Sequence, residues 1–62
     1  MIRVTMESGK AVDFDDGHSW QSEGVGGDMF VFILDNQGRV LDSYPLDDVR
    51  MISDTDNMEG WL

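Results

Sequence analysis

Residues 29–52 read MFVFILDNQGRVLDSYPLDDVRMI, and the fold turns on how this stretch is paired. Met29 to Leu34 are six consecutive apolar residues that run directly into a turn signal. A half-buried strand alternates apolar with polar residues, so a strand that is apolar throughout needs cover on both faces. The triplet Asn36-Gln37-Gly38 reads as a three-residue hairpin loop with glycine at its left-handed position. That loop predicts pairing of Asp35 with Arg39, Leu34 with Val40 and Phe32 with Asp42. On the opposite face it sets Ile33 against Leu41 and Val31 against Ser43. Pro45 ends the strand, Leu46-Asp47-Asp48 reads as a single helical turn, and Val49–Ser53 alternates as a final strand.

The N-terminus repeats the device. Ile2, Val4 and Met6 alternate with Arg3, Thr5 and Glu7, and Val12 and Phe14 alternate with Ala11, Asp13 and Asp15. A two-residue turn would set Val4 against Asp13, which register parity rejects. The loop Glu7-Ser8-Gly9 instead pairs Val4 with Val12, Ile2 with Phe14 and Arg3 with Asp13, and puts Gly9 where positive φ is needed. Between the hairpins, DDGHSWQSEGVGGD holds four glycines without a clear period and reads as a long loop.

Composition limits what such a chain can do. It has 62 residues, no cysteine, four basic and thirteen acidic residues, and a net charge of −9. Domains this small bury only about 60% of their unfolded surface, so packing or association must carry the margin. Disulfides and thiolate metal sites are excluded. Phosphate-backbone binding needs clustered Lys and Arg, so direct nucleic-acid binding is not expected. The excess of carboxylates serves solubility or complements a basic protein partner. No apolar leader follows the first residues and no run nears the ~20 apolar residues of a membrane span, so a cytoplasmic location is the expectation.

Five short strands with one helical turn before the last imply an all-β fold, a small five-stranded antiparallel barrel over residues 1–53 with a tail at 54–62. The order of tight hairpin, long loop, tight hairpin, helical turn and strand, with "YPLDDV" before the last strand, resembles the SH3-like barrels, including their Sm- and Tudor-type relatives. The peptide-binding "ALYDY"-type motif of SH3 domains is missing, so Pro-rich ligands are not implied. The pattern "VTMESGKAVDF…W" also resembles short acidic proteins of bacteria and their phages. In SH3-like barrels the groove between the long loop and the turn before the last strand is the usual recognition surface. The resemblance therefore implies a partner site at Trp20, Tyr44, Asp47 and Asp48, with Pro45 beside them. Trp20 is either a core plug or a ligand-facing ring on this reading.

In a closed barrel one face of each strand points inward. Phe30, Phe32, Leu34, Val40 and Tyr44 share parity and are assigned to it, opposite Ile2, Val4, Val12 and Phe14. Val31, Ile33 and Leu41 are then left outside with no helix to cover them. A homo-oligomer through Val31, Ile33 and Leu41, helped by Trp61, is the expectation.

Catalytic and metal chemistry find little support in the residues. Asp13, Asp15, Asp16 and His18 form the densest titratable cluster, yet a solvated strand end explains it. Asp54 and Asp56 echo the start of a calcium loop whose later positions fail the pattern. No nucleophile–base pair or phosphate-cradling glycine loop is present. No enzyme activity, metal or cofactor is therefore expected. The functional expectation is a non-enzymatic acidic interaction module that occupies a basic, nucleic-acid-binding surface of a partner. The alternative is an oligomeric protein that sequesters a small molecule such as a nucleotide.

Overall fold

Alternation in the N-terminal segment carries directly into structure. In the computed structural model, which describes residues 1–54, Ile2–Met6 forms strand β1 and Ala11–Phe14 forms β2. Ile2 faces Phe14, Arg3 faces Asp13 and Val4 faces Val12. Gly9 closes the loop at φ 95°, and its N–H donates to the Met6 carbonyl at 2.9 Å. Side chains with a Cβ rarely adopt that φ. On the exposed side Arg3 grips Asp13 through two bonds, Nε to Oδ1 at 2.7 Å and Nη2 to Oδ2 at 3.1 Å.

The expected long loop is mostly a strand. Ser19–Val25 forms β3, which turns through Gly26 and Gly27 into β4, Asp28–Leu34. Both turn glycines have positive φ, 61° and 88°, as a type I′ two-residue hairpin requires. Among the described residues there are therefore six strands where five were expected. β3 hides from pattern reading because it is an edge strand of polar residues, with Gly24 inside it and Trp20 as its large apolar residue. The Gly26-Gly27 dipeptide was the readable signal.

The next hairpin starts as expected and then departs. β5 spans Val40–Pro45, and Leu34 faces Val40 across the Asn36-Gln37-Gly38 loop, with Gly38 at φ 80°. A bulge follows. Ile33 faces Asp42, Phe32 faces Ser43, Val31 faces Tyr44 and Phe30 faces Pro45. The expected pairs Phe32–Asp42, Ile33–Leu41 and Val31–Ser43 are thus each displaced by one residue, and Leu41 is the extra residue. Pro45 sits at the end of an edge strand, where its missing N–H costs no ladder bond. A 3-10 turn at Leu46–Asp48, η1, leads into β6, Val49–Asp54, which returns to β1 with Val4 facing Ile52. β6 takes in Asp54, one residue beyond the expected strand end.

The strands make two three-stranded sheets, β2-β1-β6 and β3-β4-β5, and not a closed barrel. Ile2, Val4, Val31, Ile33, Val49 and Ile52 form the buried core, with Met6, Phe14, Trp20, Tyr44 and Leu46 packed against it. Val31 and Ile33, expected outside at an oligomer interface, are fully buried. The flanking strands decide this. Trp20 lies beside Ile33 and Tyr44 beside Val31, whereas Phe32 lies between Gln21 and Ser43. The face with aromatic neighbours goes inward, and burying Val31 and Ile33 stabilises by about 1.5–3 kcal/mol each. Phe30, Phe32 and Leu34 are left half-buried on the outer face. Leu41 is 40% exposed, and Trp61 lies outside the described residues. Among the described residues no helix is long and apolar enough to cross a membrane.

Candidate functional site

The four residues expected to share one recognition groove are distributed over three places. Trp20, on β3, lies half-buried on the core side, opposite Ile33. Tyr44, on β5, is on the same side but across the whole width of β4. Its ring meets Phe14 edge-to-face at 6.5 Å, and its hydroxyl donates to the Asp42 carboxylate at 3.0 Å. Burial, with that hydrogen bond and the Asp42 charge, raises the Tyr44 pKa and keeps the phenol protonated. Asp47 and Asp48 are both exposed on η1 but open into different grooves. Asp47 lines one with Asp28, Met29, Phe30 and Pro45, and Asp48 lines another with Met6, Glu7 and Lys10. Trp20 and Tyr44 pack against the buried core, and Asp47 and Asp48 are surface carboxylates.

Carboxylates fall into two kinds. Asp35 is buried and structural. Its oxygens accept the Gln37 and Arg39 backbone N–H groups, both at 2.8 Å, and Arg39 Nε at 3.1 Å. The Arg39 N–H, against the opposing effect of burial and aided by the Gln37 N–H and the guanidinium, holds its pKa below the usual carboxylate range. Asp13 is likewise lowered by the Arg3 hydrogen bond. Among the described residues Asp15, Asp16, Glu23, Asp28, Asp47 and Asp48 are exposed. An open groove at the β2–β3 corner collects Asp15, Asp16, His18, Arg39, Val40 and Leu41 around the Asp35 loop. Gly17 is required there, because a Cβ would lie 2.8 Å from the buried Ile2 side chain. Among the described residues no group of three or more His, Cys, Asp or Glu side chains is placed to hold a metal ion.

The surface missed by sequence reasoning is the outer face of β3-β4-β5. Phe30, Phe32 and Leu34 run along its central strand, flanked by Glu23, Gln21 and Ser19 on β3 and by Pro45, Ser43 and Val40 on β5. Recognising β3 from its Gly-Gly turn would have placed those polar residues beside the phenylalanines and so turned the face outward. Comparison with protein-family models, curated proteins and solved structures finds no match to this chain.

Proposed function

We propose that this protein is a non-enzymatic, acidic interaction module that occupies a basic surface of a partner protein, in a cytoplasmic setting. One observation carries the reading: exposed carboxylates surround the sandwich while two of the four basic residues, Arg3 and Arg39, are engaged by Asp13 and Asp35. A field of that sign attracts cationic surfaces and repels phosphates. A basic nucleic-acid-binding channel is such a surface, and a small acidic body lodged there would act as an inhibitor. The element order, with a 3-10 turn before the strand that returns to β1, supports an SH3-like relationship at the level of topology.

The test is capture of partners by the tagged protein from its native host, eluted with rising salt. A basic protein released between low and moderate salt is the expected result, because screening lengths shrink over that range. Co-purification of a small molecule that raises the melting temperature would favour the sequestering alternative instead.

A further inference from the structure

The outer face of β3-β4-β5 combines an apolar spine with an acidic rim. Phe30, Phe32 and Leu34 are half-buried by their neighbours, and Val40 beside Leu34 is 57% exposed. At the Phe30 end, the Gly26-Gly27 turn and η1 bound a groove lined by Met29, Phe30, Pro45 and Leu46, with Asp28 and Asp47 in its wall. Glu23 lies directly across from Phe30. At the opposite end, Val40 and Leu41 share a groove with Asp15 and Asp16. Arg39 and His18 line that groove too, so the purely acidic end of the spine is the one at Phe30.

We infer that this face docks a cationic amphipathic helix of a partner protein. Its apolar stripe lies on Phe30, Phe32 and Leu34, and its Lys or Arg side chains reach Glu23, Asp28 and Asp47. The inference rests on the acidic-module reading and names the surface through which that module acts. The dimensions agree. Phe30 to Leu34 spans about 13 Å, close to two helical turns of about 11 Å, and three strands make a bed about 14 Å wide for a helix about 10 Å across. Covering an open sheet face with a helix is a standard layer arrangement. A cation at the Phe30 end gains both the ring face and the neighbouring carboxylates.

A second copy of this chain is the poorer occupant. Isologous pairing would bring the same acidic rim to both sides of the interface, in subunits of net charge −9 each. The strip is about 13 Å by 14 Å, roughly 180 Å², so a helix docked on it forms a weak, transient complex.

The test uses the full chain, ¹⁵N-labelled, and a synthetic 14-residue Leu/Lys amphipathic helix as probe, with a Leu/Glu peptide as control. The expected result is amide shifts centred on residues 30–34, Gln21 and Ser43, with binding that weakens as salt rises and no response to the control. Gln21→Lys, an exposed change beside Phe32, should raise Kd about fivefold, and Phe32→Ser tenfold or more. Because Gln21 lies outside the core, the first variant keeps the test valid if Phe32→Ser fails to fold. Salt-sensitive binding that shifts only residues of the β2-β1-β6 sheet would overturn the docking face and leave the acidic-module reading standing. No binding of the cationic probe at low salt would sink both. Sedimentation of the free protein as a dimer with residues 30–34 protected would assign the face to a second copy.

Discussion

Two hairpins in this protein share a three-residue loop ending in glycine, yet only one keeps an unbroken register. From Glu7-Ser8-Gly9 the β1–β2 pairs run from Thr5–Ala11 to Ile2–Phe14 without a shift. From Asn36-Gln37-Gly38 the β4–β5 pairs hold at Leu34–Val40 and slip before Ile33–Asp42. The loops are equivalent, so the difference lies in the strands. β1 and β2 each have one apolar and one polar face, and a slip would bury Asp13. β4 is apolar on both faces, so a slip carries no such penalty. The bulge at Leu41 keeps Val40 beside Leu34 and also turns Tyr44 toward Val31 and the core.

Deleting one residue from each hairpin should separate them most. Removal of Val12 would set Asp13 against Val4 and turn Phe14 outward, a loss comparable to the few kcal/mol by which so small a domain is stable. No cooperative melt is expected. Removal of Leu41 leaves each of the other β4–β5 pairs in place and should cost about 1 kcal/mol, measured by urea unfolding. A Leu41 deletion as damaging as the Val12 deletion would mean that the bulge itself holds the sheet in shape.

The two faces of β4 give the next largest effect. Ile33→Ala should cost about 2–5 kcal/mol as a core truncation, whereas Leu34→Ala on the outer face should cost about 1 kcal/mol. Equal losses in urea titrations would contradict the assignment of faces. Below these come the loop glycines. An added Cβ meets nothing within 4 Å at Gly9 or Gly38, so Gly9→Ala and Gly38→Ala test backbone conformation alone. Each should lose roughly 1 kcal/mol or more, and by similar amounts, if the loops are equivalent.

The smallest effect is in acid. Asp35 and Asp13 have pKa values lowered by folding, so each contributes stability above the ordinary value of 3.8. That contribution disappears as pH falls through the lower folded value. Thermal melts of Asp35→Asn should therefore lie below wild type at pH 7 and converge with it in strong acid. Asn keeps an oxygen for the Gln37 and Arg39 N–H groups, which holds the change small. Asp13→Asn should shift less still, since the Arg3–Asp13 pair is exposed. A gap for Asp35→Asn that persists unchanged in strong acid would show that the carboxylate charge contributes nothing.

Legibility followed the information in each segment. The β1–β2 register, both glycine loops, the turn at Leu46–Asp48 and the returning last strand could be read from residues, because parity and turn chemistry agreed. β3 could not be read from periodicity, since a polar edge strand has no apolar face to announce it. The residues of the expected recognition groove lie apart for a related reason. That expectation treated Trp20 as a loop residue, whereas a strand position sends it to the core side beside Ile33.

Local chemistry alone therefore settled the loops at Glu7-Ser8-Gly9 and Asn36-Gln37-Gly38, the turn at Leu46–Asp48 and the acidic character of the surface. Each depends on a residue's own φ, its hydrogen-bonding or its charge, and none needs a distant partner. Which face of β4 is inside was settled only in three dimensions. Met29–Leu34 is apolar on both sides, and a period of two expresses no preference between equal faces. The preference came from Trp20 and Tyr44 on the flanking strands and from the β2-β1-β6 sheet, whose Ile2, Val4 and Ile52 close over Val31 and Ile33. Those neighbours lie up to 31 residues away from Ile33 along the chain, at Ile2, and contact of that range exists only once the sheets have packed.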